Sequence, residues 1–274
     1  MRGRGEKLYR EITIRSIDDL FPLLKERPFE HEIGRFRSNF VYHGTCNAAF
    51  RLTTSLQRNC KGRQQELEPS ILRNFSKYAA AEDPGIDSSV WRQLIIGQHH
   101  GLPTRLLDWT YSPLIGLHFA VNDPNLDKMD RHECIMWKID VAELHALLPE
   151  RYQAVLRENQ AVIYTVKMLD ELTQSLEQYD RDMGESAMLI VEPPSIDPRI
   201  INQYSYFSVV PHGITDVEAF LKTRTQNTVK YVIDRAIRWE ISDMLDQFNI
   251  TERTIYPDLD GLTKMLTRHY FVRE

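Results

Sequence analysis

Apolar residues along the chain fall into short blocks whose spacing changes from segment to segment. Val90, Leu94 and Ile95 lie on one face of a helical period, and Gly101 and Pro103 then end that helix. A second helix is predicted to open at Ser112-Pro113, with Ser as N-cap and Pro in the first helical position. It runs through Leu114, Leu117 and Phe119 toward Asn122-Asp123-Pro124. Arg105, Asp108 and Trp109 are therefore expected on a loop between two helices. Upstream, residues 1–34 are charged and mixed, with a strand at Tyr9 to Ile14 and a helix at Asp18 to Lys25. Phe40-Val41-Tyr42 is a short apolar strand.

Downstream, Cys134 to Ile139 reads as a strand, and Val141 to Asp180 as helical with an interruption at Pro149. The mixed charge of that helical stretch suggests an inserted pair, about 141–180, that covers a cleft or meets a partner. Strands are predicted at Ala187 to Val191, Tyr206 to Val210 and Val229 to Ile233. A helix follows with Ile237, Ile241, Leu245 and Phe248 on one face, then a turn at Tyr256-Pro257-Asp258 and a last helix. Short strands interleaved with helices, without regular βαβ spacing, predict the α+β class.

A chain of 274 residues with 42% hydrophobic content can bury a core as one large domain or a domain with an insertion. Its formal net charge of -5 argues against broad electrostatic binding to nucleic acid. Lys61-Gly62-Arg63, with Arg51, Arg58 and Arg73 nearby, makes the first quarter the most basic face, or else a solvated loop. The basic start MRGRGEK is not followed by an apolar segment, and no run of about 20 apolar residues occurs. A soluble, cytoplasmic protein without membrane partners is expected. Three cysteines without a CxxC, and His99 and His100 side by side rather than four apart, argue against a metal site. A Cys46–His43 nucleophilic pair lacks an evident orienting group. Neither GxGxxG nor a P-loop is present.

Gln98 to Ala120, QHHGLPTRLLDWTYSPLIGLHFA, crowds cationic, acidic and aromatic side chains among apolar ones. Arg105 offers a planar donor fork. Ser112 stands where a helix N-terminus presents unpaired N–H groups to a phosphate or a polarised carbonyl. An internal salt bridge from Arg105 to Asp108 under Trp109 is the competing structural explanation.

This segment resembles the central motif of the FRG domain family. Three further stretches agree with it in order and spacing: Phe40 to Arg58, Pro198 to Val210 and Ile255 to Leu266. The resemblance covers roughly 35–266 and leaves 1–34 as an N-terminal extension. Where the family usually has Arg-Gly, this chain has His43-Gly44-Thr45. That sequence is similar to the first motif of the ADP-ribosyltransferase superfamily, in the branch of diphtheria toxin and the poly-ADP-ribose polymerases.

The second resemblance implies an ADP-ribosyltransferase-like split β-sheet core with surrounding helices, and NAD as substrate. It implies that His43 holds the adenine-side ribose, that the Gly44 backbone contacts nicotinamide, and that Thr45 completes the NAD-binding motif. Gln203 falls where these enzymes usually carry a Glu. An amide binds a ribose hydroxyl but cannot act as a base, so Glu185, Glu192 or Glu240 is a candidate for that role. Arg51 and Arg58 follow at a distance suited to a pyrophosphate, with hydroxyls from Thr53, Thr54 and Ser55. Arg105, Asp108, Trp109 and Ser112 would shape the cleft. The implied activity is transfer of ADP-ribose to a protein or nucleic acid acceptor, in a toxin or antiviral effector with a neutralising antitoxin or chaperone partner. A non-catalytic nucleotide or ADP-ribose binding module and an NAD glycohydrolase remain alternatives.

Overall fold

The computed structural model describes residues 9–273; the basic MRGRGEK start lies outside them. Ten strands are formed among the described residues. They are β1 (Arg10–Ile14), β2 (Phe29–Glu30), β3 (Arg35–Phe36), β4 (Phe40–Thr45), β5 (Leu106–Thr110), β6 (Cys134–Asp140), β7 (Tyr164–Thr165), β8 (Leu189–Glu192), β9 (Ser205–Val209) and β10 (Val229–Ile233). β2 and β3 pair by themselves; the other eight form one mixed sheet in the order β1-β10-β6-β4-β5-β9-β8-β7. The two edge pairs, β1 with β10 and β7 with β8, are parallel, and the inner pairs are antiparallel. The protein is thus a mixed α/β structure around a large central sheet.

Side-chain alternation along the strands sorts the core. Ile135, Trp137 and Ile139 of β6 face one cluster with Leu107, Trp109 and Ile190. Cys134 and Met136 face the other side, under the Pro113–Val121 and Arg238–Gln247 helices. Leu106, Val209 and Phe207 point into a third cluster beneath the Val90–His99 helix. With both sheet faces covered, inner strands lose the one-in, one-out alternation of apolar and polar residues. This corrects the loop expected around Asp108: Leu106–Thr110 is strand β5, buried at every position except Asp108. The polar residues that looked like a break in the pattern mark a strand covered on both faces.

The 141–180 stretch is helical but more finely divided than the sequence suggests, as Val141–His145, Glu150–Glu158, Val166–Leu172 and Leu176–Met183 with β7 between. Tyr152, Leu156, Tyr164, Leu169, Tyr179 and Met183 join the same cluster as Leu106 and Val209, so these helices build the core under β5, β8 and β9. In the C-terminal helix the expected face holds for Ile237, Ile241 and Leu245, but Phe248 lies past its last turn and is 58% exposed. In the N-terminal stretch, β1 extends the sheet and Leu20 and Leu23 enter the core, so residues 10–25 are integral to the fold.

His145 ties the helical stretch to the sheet. Its Nδ1 donates to the Val162 carbonyl at 2.8 Å, and the Ile190 N–H donates to its Nε2 at 2.8 Å. Only the neutral ring makes both bonds. Burial pushes its pKa down to about 4, against the opposing pull of the Val162 carbonyl, and burial does the same to His118. Because these rings take up protons more readily unfolded, their contribution is complete above about pH 6.5 and is lost as the pH falls through about 4. Stability in urea is expected to drop over that window by up to roughly 3 kcal/mol per histidine. His145→Gln should remove about half of this slope; an unchanged slope would show that His145 is not held neutral.

Candidate functional site

β4 is paired with β6 along all six of its residues, and β5 with β9 along all five of its own. Between them β4 and β5 share a single pair, Tyr42 with Thr110. Beyond it they part, and a cleft of about 980 Å³ opens against Tyr42 to Thr45 on one strand, with Cys46 just after it, and Leu106 to Thr110 on the other. Its size falls in the range of small-molecule and cofactor sites.

His43 bridges the parting strands. Its Nδ1 donates to the main-chain carbonyl of Asp108 at 2.6 Å, which leaves Nε2 as an acceptor. Crowding by protein lowers its pKa, while the Asp108 carbonyl and carboxylate favour the charged ring. The Trp109 ring stands 5.6 Å away and is fixed by its indole N–H donating to Ser208 Oγ at 3.0 Å. Gly44 has a packing reason to be glycine: a Cβ there would lie 2.3 Å from both the Gly116 carbonyl oxygen and the Ala120 nitrogen. β4 therefore sits directly on the backbone of the Pro113–Val121 helix. Thr45 lines the cleft beside it.

Arg51 and Arg58 both line the cleft. Arg51 is ion-paired with Asp216, whereas among the described residues Arg58 bonds only Thr53, through its carbonyl and hydroxyl, and has further donors to offer. Thr53 and Ser55 line the cleft too, but Thr54 is buried as the N-cap of the Ser55–Cys60 helix. Gln203, at the C-terminal end of the Pro198–Asn202 helix, reaches the cleft, and among the described residues its buried Nε2 has no hydrogen-bond partner. Cys46 lies there as well, with its thiol pKa pushed up by burial, so it is a weak nucleophile.

Two further expected cleft residues are elsewhere. Arg105, only 2% exposed, turns to a separate cavity, where Glu68 and Asp180 take its guanidinium and His212 joins them. The alternative salt bridge to Asp108 is not formed either. Two carboxylates give Arg105 a better-matched fork than a neighbour three residues along an extended strand could. Burial alone would raise the Glu68 pKa, but its bonds to Arg105 and His212 outweigh this and hold it below the ordinary value. Ser112 caps its own helix, its Oγ accepting from the Ile115 N–H, and is not among the cleft residues.

Gln98, Phe50, Phe119, Asn122 and Arg199 line the cleft without having been singled out from the sequence. Arg199 stands over the Tyr256 ring at 4.9 Å. The pairing of Gln98 with Asp108, ten residues on, could have been suspected only from knowing that a helix and a strand meet there. Glu185, Glu192 and Glu240 do not line the cleft; Asp108 is the only acidic side chain among the described residues that do. Burial raises its pKa, against His43, Gln98 and Arg199, though its side chain stays exposed to the cleft. Among the described residues no group of three or more His, Cys, Asp or Glu side chains is placed to hold a metal ion, and no helix is long and apolar enough to cross a membrane.

The cleft lies almost entirely within a segment that is recognisable by family. Residues 38–129 match the family model of the FRG domain. The matched stretch contains β4, β5 and the Pro113–Val121 helix, and ends before Arg199 and Gln203. No curated protein and no solved structure gives a match.

The Arg105 cluster should be structural. Arg105→Met leaves the Glu68 carboxylate buried without its fork and is expected to cost about 3–5 kcal/mol in urea denaturation. The double variant Arg105→Met/Glu68→Leu should recover most of this, since the orphaned charge is then gone. A near-neutral single variant would contradict the assignment.

Proposed function

We propose that the cleft binds NAD and transfers its ADP-ribosyl group to a macromolecular acceptor. The observation that carries this reading is the split between β4 and β5, which sets His43-Gly44-Thr45 on one wall against Asp108 and Gln203 on the other. A dinucleotide needs room, a polar contact for each ribose and cationic donors for its phosphates. The cleft has a nucleotide-sized volume, the acceptor Nε2 of His43, the amide of Gln203 that has no partner among the described residues, and Arg58 and Arg199 in its lining. A buried amide donor without a partner is costly, and a ribose hydroxyl would relieve that cost.

The resemblance of His43-Gly44-Thr45 to the ADP-ribosyltransferase motif supports NAD over other nucleotides. The acceptor is a protein or a nucleic acid, and a toxin or antiviral role with a neutralising partner fits such an activity by analogy. A binding module for a nucleotide or ADP-ribose is the second reading, favoured by one observation: Gln203 is an amide where transferases of this branch carry a carboxylate. Hydrolysis of NAD is the same chemistry with water as the acceptor.

The test uses NAD labelled on the adenylate phosphate, incubated with the protein and with separate protein and nucleic acid fractions of a lysate. Covalent label in one fraction is the expected result. Bound but intact NAD would favour the binding module, and label released as free ADP-ribose the hydrolase. His43→Ala is expected to weaken NAD binding about tenfold, the loss of one buried hydrogen bond. Gln203→Ala should abolish transfer with the fold intact; full transfer by this variant would remove Gln203 from the site.

A further inference from the structure

We propose that Asp108 is the catalytic carboxylate of this cleft, the group that faces the reacting ribose and takes the proton of the acceptor. This rests on the transferase reading above. The reaction asks for a negative charge beside the ribose as the bond to nicotinamide breaks, and for a base to receive a proton. Gln203 supplies neither, and none of the three glutamates considered from the sequence reaches the cleft.

Asp108 is held for the task from two directions. Its main-chain carbonyl is fixed by His43 Nδ1 from β4, as described. Its carboxylate is fixed from the Val90–His99 helix, where Gln98 Nε2 donates to Oδ2 at 2.8 Å. The orientation of that amide is itself set, because the buried Thr104 hydroxyl donates to Gln98 Oε1 at 2.6 Å. Thr104 in turn is anchored by its own N–H donating to Ser55 Oγ at 3.0 Å. The chain Ser55, Thr104, Gln98, Asp108 thus ends on one carboxylate oxygen. Among the described residues no side chain bonds the other oxygen, at the one exposed position of β5.

In the step itself, the bond between the ribose C1′ and the nicotinamide nitrogen breaks, and its electron pair leaves on nicotinamide. The positive charge that develops on the ribose faces the Asp108 carboxylate. The acceptor's nucleophilic atom forms the new bond to C1′, and its proton passes to Asp108. The charged and titratable groups facing Asp108 are His43 from β4, Arg199 from the Pro198–Asn202 helix and Tyr256 behind Arg199. Gln98 is a positioning residue, and its hydrogen bond favours the ionised carboxylate.

The experiment follows nicotinamide release and label transfer by the full chain, with NAD affinity and melting temperature measured alongside. Asp108→Asn keeps the shape and is expected to lower kcat about 100-fold or more, with NAD affinity changed no more than about threefold. Gln98→Leu should move the acid limb of the kcat/KM profile to higher pH, an effect that a loss of packing would not produce. Wild-type protein that turns over NAD and is matched by Asp108→Asn would overturn the role of Asp108 alone. A loss seen only in NAD affinity, or an acid limb unmoved in Gln98→Leu, would also overturn it. Wild-type protein that binds NAD and releases no nicotinamide overturns the transferase reading, and this role with it.

Discussion

The structure turns on the parting of β4 from β5. Each strand is fully engaged on its outer edge, β4 with β6 and β5 with β9, and the two meet only at Tyr42 and Thr110. Main-chain groups that a continuous ladder would have used face a cleft instead, where they need water or a ligand as partner. What keeps the strands in this relation is local. Gly44 lets β4 lie on the backbone of the Pro113–Val121 helix, where Gly116 in turn faces Tyr42 Cβ, so a side chain at either glycine would force the two elements apart. His43 then spans the opening with a side chain where strand pairing would have used a main-chain donor.

The segment around β5 divides its charges between two uses. Arg105 neutralises Glu68 and Asp180 in a second cavity, where the Leu176–Met183 helix, the chain near His212 and the Gln64–Ala79 helix converge. Asp108, three residues later, faces the cleft with one oxygen held. Burial favours the paired arrangement for Arg105, because a guanidinium out of water must find carboxylates. Asp108 is exposed to the cleft, where His43, Gln98 and Arg199 favour its ionised form against the crowding that raises its pKa. The strand that anchors the core through Leu106, Leu107 and Trp109 also fixes the direction of the cleft's carboxylate.

Much of this was legible in local sequence. Ser112-Pro113 starts a helix because a hydroxyl caps it and proline needs no donor there, and Gly101 ends the preceding one with φ at +83°. Val229–Ile233 forms at its expected bounds, and β4 extends from the short apolar Phe40-Val41-Tyr42 run. The region near Asp108 misled because a strand covered on both faces shows no period of two, and a charged residue at each end of its apolar run looks like a break. The 141–180 stretch misled in another way. Its mixed charge describes the solvent side of its helices and hides Tyr152, Tyr164 and Tyr179, which bury their rings in the common core.

By itself the sequence determined several helix starts and stops, the strands at Phe40-Val41-Tyr42, Cys134 to Ile139 and Val229 to Ile233, and which polar residues were worth locating, because caps, turns and short motifs act through neighbours in the chain. Only the tertiary structure decided which side chains share a cavity. Arg105 and Asp108 are three residues apart and serve separate sites, whereas His43 and Asp108, 65 residues apart, are joined by a hydrogen bond. Strand order and the divergence of β4 from β5 set those distances, and both depend on packing between segments far apart in the chain.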